Sequence, residues 1–97
     1  MKVTEILTGP ETWCQGAWVR DERACLSMAV FRATRGGRAG NAKVAARASQ
    51  MLCEIIAERA DEPMLPENWN DAPERTFAEV HAVAAEFDRR WALLRAR

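Results

Sequence analysis

Across residues 77–94 the apolar side chains Phe77, Val80, Ala84, Phe87, Trp91 and Leu94 recur at alternating spacings of three and four. That is the period of an α-helix with one face turned to a core or to a second helix. No strand can use this pattern, because successive strand residues point to opposite faces. Thr76 and Glu79 supply the start signal: the Thr hydroxyl can accept the N–H of the third helical residue while the Glu carboxylate reaches back to the Thr N–H. A chain of 97 residues builds one hydrophobic core. Such a helix commits the rest of it to packing against that seam, and residues 1–97 are read as a single domain.

Two more segments have helical character. Residues 24–33 are nearly all apolar (Cys25, Leu26, Met28, Ala29, Val30, Phe31), as expected of a buried central helix, and Asp21 precedes them as an N-cap candidate. The run Arg35-Gly36-Gly37-Arg38-Ala39-Gly40 is a basic loop able to take positive φ. Asn41 then caps a predicted helix reaching about residue 59, with Val44, Ala48, Met51, Leu52, Ile55 and Ile56 on one face. Residues 3–8 give a short helix that Gly9-Pro10 ends. Residues 13–20 fit period two and period 3.6 alike and are read as helix or irregular structure. Residues 61–75 hold Pro63, Pro66 and Pro73 without periodicity, a long connection held down by Met64, Leu65 and Trp69. The expected fold is all-α: a small bundle of three main helices plus a short N-terminal helix, with a long Pro-containing loop before the last helix.

Lys plus Arg and Asp plus Glu balance at 14 each, and 48% of the chain is apolar, which excludes a disordered or uniformly basic protein. The balance conceals a segregation. Residues 1–50 contain eight basic and four acidic residues, and residues 51–97 six and ten, so the halves carry +4 and −4. Arg32, Arg35, Arg38, Lys43 and Arg47 form a candidate basic face for a protein or a nucleic acid. Glu54, Glu58, Asp61, Glu62 and Glu67 form a candidate acidic face for a protein partner. Nucleic acid is the weaker reading, since a neutral chain steers phosphate poorly and its acidic half repels it. Opposite charge blocks and the apolar seam together favour a homodimer.

Catalytic chemistry finds little to work with. Cys14, Cys25, Cys53 and His81 are separated by 10, 27 and 27 residues, far from the paired spacing of a structural zinc site. His81 is the single imidazole, flanked by Val80 and Ala82 with no nucleophile beside it. The glycine-rich run lacks the Lys-Ser/Thr of a phosphate loop. No metal and no cofactor are expected, and the chain is read as non-enzymatic. An odd number of scattered cysteines without a leader pattern implies reduced thiols and a cytoplasmic location. No apolar run approaches a membrane span.

Two clusters carry a resemblance. Trp13-Cys14-Gln15-Gly16-Ala17-Trp18-Val19-Arg20-Asp21, with Cys25-Leu26-Ser27-Met28-Ala29 behind it, and Trp69-Asn70-Asp71-Ala72-Pro73-Glu74-Arg75-Thr76-Phe77-Ala78-Glu79-Val80 cover about a third of the chain. They resemble a family of small uncharacterised bacterial and phage proteins with the pattern W-x-x-G-A-x-x-R-D, a cysteine-containing helix, then N-D-x-P-x-R-T-x-x-E-V. The chain departs from it by lacking a Gly-containing insert after Arg20-Asp21 and by Met28 standing at a small Gly. The resemblance lends no activity. On the residues themselves, Trp13, Gln15, Arg20, Asp21, Trp69, Asn70, Asp71 and Arg75 form a motif cluster. It is read either as a polar clasp, with Arg75 reaching Asp21 or Asp71, or as a ligand pocket floored by Trp13 and Trp69.

Size, missing catalysis and sorted charge are similar in type to small phage-borne inhibitors of bacterial defence, anti-CRISPR proteins among them. The functional expectation is therefore a protein-binding module that engages a Cas effector subunit. The alternatives are a nucleic-acid-binding regulator using residues 32–47, and a small enzyme or ligand-binding domain using the Trp69-Asn70-Asp71 loop.

Overall fold

The first helix, α1 (Val3–Ile6), takes its N-terminal acceptor from the far end of the chain. The N–H groups of Val3 and Thr4 donate to the Asp88 carboxylate at 2.7 and 3.0 Å, and the Thr4 hydroxyl donates to it at 2.9 Å. An acidic side chain there answers both the orphan donors and the positive end of the helix. The computed structural model describes residues 1–34 and 42–96. The predicted basic loop with Arg35 and Arg38, and the predicted cap Asn41, lie outside the described residues.

After a 3₁₀ turn (Pro10–Thr12) the chain forms a two-stranded hairpin, β1 (Val19–Arg20) with β2 (Arg23–Ala24), antiparallel with Arg20 opposite Arg23. The fold is mostly helical and not purely all-α. Asp21 and Glu22 form the two-residue turn with φ of 49° and 68°, the left-handed pair that the right-handed twist of a tight hairpin demands. Asp21 therefore caps nothing, and the predicted helix start at residue 24 is in β2.

Helix α2 (Leu26–Thr34) begins instead against the side chain of Asn70, whose Oδ1 accepts the Leu26 N–H at 3.1 Å. Its buried residues Leu26, Ala29, Val30, Ala33 and Thr34 keep a three-and-four spacing. Thus α2 buries one stripe, and Phe31 and Arg32 face outward. Helix α3 (Ala42–Ala60) buries Ala48, Leu52, Ile55 and Ile56 and packs along α2 and α5. Within the expected loop, Leu65 and Pro66 start a short helix, α4 (Pro66–Asp71), with Pro66 at the position where a missing N–H costs nothing. Only the flanks of that segment are irregular.

Helix α5 (Phe77–Arg95) carries the predicted capping box: Glu79 N–H donates to Thr76 Oγ1 at 3.2 Å and Thr76 N–H to Glu79 Oε1 at 2.9 Å. Val80, Val83, Ala84 and Phe87 enter one contiguous core with Val3, Leu7, Leu26, Leu52, Ile56 and Trp69. Phe77 and Trp91 lie at its edge, Trp91 stacked on Phe87 with ring centroids 5.5 Å apart.

Candidate functional site

Both resemblance clusters meet at Asn70, which is wholly buried (0% exposed). Its Oδ1 accepts from Trp13 Nε1 at 2.7 Å and from the Leu26 N–H; its Nδ2 donates to the Cys14 carbonyl at 3.1 Å and to Asp71 Oδ1 at 2.9 Å. Two donors and two acceptors saturate the amide. Gln15 Nε2 donates to the carbonyls of Asn70 and Ala72, both at 2.8 Å, and the Gly16 N–H donates to Asp71 Oδ1 at 2.9 Å. Arg75 lays its guanidinium over the Trp69 ring, 3.9 Å from the centroid, donates from Nε to the Trp69 carbonyl at 2.8 Å and pairs with Glu79 at 3.1 Å.

These bonds make the cluster a clasp between residues 13–16, the start of α2 and α4. Arg75 reaches neither Asp21 nor Asp71, and Arg20 and Asp21 remain exposed on the hairpin outside the clasp. The rings of Trp13 and Trp69 are occupied as well: Trp69 is buried beneath Arg75, and Trp13 tilts against Phe77 with centroids 6.3 Å apart. Neither indole lines the cavities that open among the described residues.

Open, largely apolar space lies elsewhere. A groove of about 280 Å³ runs between α2 and α3, lined by Met28, Phe31, Thr34, Ala45, Leu52 and, from the hairpin, Trp18. Trp18 and Phe31 are 63% and 45% exposed. Residues 27, 31 and 34 of α2 face residues 45, 48, 49 and 52 of α3 across it, with the buried Thr34, Ala48 and Leu52 as its floor and the less buried Ser27, Phe31, Ala45 and Ser49 along its sides. At one end Glu67 accepts the Ser27 hydroxyl at 2.9 Å. Beyond Trp18 and Glu67 opens a notch of about 140 Å³, also lined by Gly16, Ala17, Cys25 and Asp71. Burial pushes the Cys25 thiol up from its ordinary value, as it does those of Cys14 and Cys53. Cys25 is therefore a neutral thiol at physiological pH, a poor nucleophile. The sequence put Met28 and Phe31 on a buried helix and gave Trp18 no role. A short helix apolar on nearly every side contains more apolar residues than one core-facing stripe can hide, which was the available signal for the groove.

The predicted charged faces divide. On the acidic side, Glu58 is held by Arg90 in two bonds of 2.6 and 3.0 Å, and Arg90 also pairs with Glu86, which bridges to Arg89 at 2.7 Å. Those guanidinium bonds hold Glu58 below the usual carboxylate range and bring Glu86 down to about 2. Glu67 turns toward α2 and the groove, leaving Glu54, Asp61 and Glu62 exposed. On the basic side, Lys43 and Arg47 line a shallow groove with Arg95, Trp91 and Leu94 between α3 and α5, and Arg32 does not line it. Among the described residues, no group of three or more His, Cys, Asp or Glu side chains is arranged to hold a metal ion, and no helix is long and apolar enough to cross a membrane.

A family model described as a family of unknown function, DUF6197, matches residues 2–88, and the chain belongs to that family. No curated protein and no solved structure matches the chain.

Proposed function

We propose that this DUF6197 member is a non-enzymatic protein-binding module that presents the α2–α3 groove to a partner protein. The observation that carries the reading is the pair Trp18 and Phe31, two large apolar side chains 63% and 45% exposed on either side of a cavity of about 280 Å³. Aromatic side chains flanking an apolar depression are the usual anchors of a protein interface. An enzymatic use of the neighbouring notch is disfavoured by the protonated Cys25 thiol, and His81 packs its ring on Phe77, 5.8 Å between centroids.

Within that class, size and charge segregation support a narrower reading: a small phage or mobile-element inhibitor of a bacterial defence system, of the anti-CRISPR type, that binds a Cas effector subunit. Glu54, Asp61 and Glu62 remain available for a basic nucleic-acid channel, whereas Glu58 is committed to Arg90. Purified Cas effector complexes titrated with the protein should co-elute with it and lose target-DNA binding, and Trp18→Ala with Phe31→Ala should abolish both effects. Effectors that bind DNA equally well at saturating protein would refute the anti-CRISPR reading. Co-elution unaffected by the two aromatic substitutions would refute the groove.

Nucleic-acid binding is the second reading, favoured by Lys43, Arg47 and Arg95 lining one groove without an ion-pair partner among the described residues. Three phosphate contacts would give a salt slope of about −3 in log K against log[salt]. A flat response would remove that reading.

A further inference from the structure

Resting on the groove reading above, we infer that the partner segment carries an arginine or lysine next to a bulky apolar residue. The cation seats between Glu67 and Asp71 in the notch, and the apolar side chain lies in the α2–α3 groove. The two cavities are neighbours that share Trp18 and Glu67 as lining residues. One contiguous ligand can therefore fill both.

Each carboxylate is fixed by one oxygen and open at the other. Glu67 Oε1 accepts the Ser27 hydroxyl at 2.9 Å. Asp71 Oδ1 accepts the Gly16 N–H and the Asn70 amide, both at 2.9 Å. Neither residue has an ion-pair partner among the described residues, although Arg75, Arg89 and Arg90 are all paired. Two anions oriented by the chain and without an ion-pair partner among the described residues, beside an indole that is 63% exposed, form the complement of a guanidinium or ammonium group. The Arg20 guanidinium, 3.8 Å from where a Cβ on Gly16 would sit at the notch wall, forms an ion pair with neither. The notch of about 140 Å³ has room for such a head group, and Cys25 contributes only a neutral thiol to its wall. A purely apolar partner would leave both carboxylates to be desolvated unpaired, which is costly; an acidic partner would add repulsion.

The test is selection of short random peptides, displayed on phage, against the immobilised full-length protein. Dissociation constants of the enriched peptides are then measured for wild type, Glu67→Gln, Asp71→Asn and Phe31→Ala. Enriched peptides are expected to place Arg or Lys within a few residues of Leu, Phe, Trp or Met. Glu67→Gln, which keeps the Ser27 bond, should weaken them about tenfold or more, as expected for loss of a charge-assisted pair. Replacing the peptide's basic residue by norleucine should weaken binding equally, and should cost nothing further on Glu67→Gln. Asp71→Asn serves as the second variant, and circular dichroism melts verify that each variant is folded. Peptides that bind through apolar residues alone, or whose affinity ignores Glu67→Gln and Asp71→Asn while falling with Phe31→Ala, overturn the basic anchor and leave the groove standing. No enrichment, or affinity indifferent to Phe31→Ala, overturns both.

Discussion

Replacing Asn70 by alanine should cost more stability than any other single polar substitution in the chain. The side chain is 0% exposed and makes four hydrogen bonds. Its loss strands the Leu26 N–H, a first-turn donor of α2, and deprives the Cys14 carbonyl of its Asn70 donor. The Trp13 indole N–H loses its acceptor at a half-buried site, where water can partly replace it, and Asp71 keeps the Gly16 N–H. A buried polar group left unpaired costs about 1–3 kcal/mol, so the total is about 3–5 kcal/mol. Set against the roughly 5–15 kcal/mol that stabilises domains of this kind, that is a large fraction. With a urea m-value of about 1.5 kcal/mol/M, the unfolding midpoint should fall by about 2–3 M, with m unchanged. Trp13→Phe, which removes only the N–H donor, should be coupled to Asn70→Ala by about 1 kcal/mol in a double-mutant cycle. A loss below about 1 kcal/mol in Asn70→Ala, or additivity of the two changes, would mean that the clasp does not hold the fold and that these residues are kept for another role.

Leu52→Ala, which opens space beside the groove and in the core, should destabilise by about 2–5 kcal/mol in the same assay. Trp18→Ala should change stability by no more than about 0.5 kcal/mol while weakening partner binding; a large loss of stability would make Trp18 a packing residue. Glu22→Gly should stabilise by up to about 1 kcal/mol, because Glu22 holds φ of 68° at a strain that glycine does not feel; a neutral or lower melting temperature would refute this. Glu86 sits at about 2 in the fold against an ordinary 4.5. Its contribution is therefore fully present above 4.5 and is lost as the pH falls from there toward 2. Glu86→Gln should flatten acid unfolding in that window, with Glu58 and Glu79 retaining a contribution of the same sign.

The long helices were readable because each repeats its apolar residue through several turns: α3 and α5 end within a residue or two of where periodicity puts them. The hairpin was hidden for a local reason. Its turn uses Asp21-Glu22 where positive φ at both positions usually selects Asn or Gly, and an Asp ahead of an apolar run reads as a cap. The true acceptor at the start of α2 is a side chain 44 residues later in sequence, beyond any local pattern. Helix α4 spans six residues, too few to establish a period. The clasp was half legible, since Asn70, Asp71 and Arg75 stood out as a motif; Gln15 and Trp13 were in the other cluster, but which atoms joined them was not. The charged faces were the least legible part: Glu58 belongs to Arg90, and Lys43 and Arg47 line a groove with Arg95, because helix packing, not sequence order, decides which charges become neighbours.

The carboxylate that completes α1 lies 85 positions after Val3, so the amino end is synthesised long before its acceptor exists. A helix of four residues does not persist alone in water, and at ordinary translation rates of about 5–20 residues per second the segment carrying Val3 and Leu7 spends seconds with α2 but without the α5 side of its packing surface. Native closure of α1 therefore waits until Asp88 has been made. A ribosome stalled before Asp88 should carry a nascent chain whose first turn is still open to proteases and chaperones, whereas one stalled well beyond it should not.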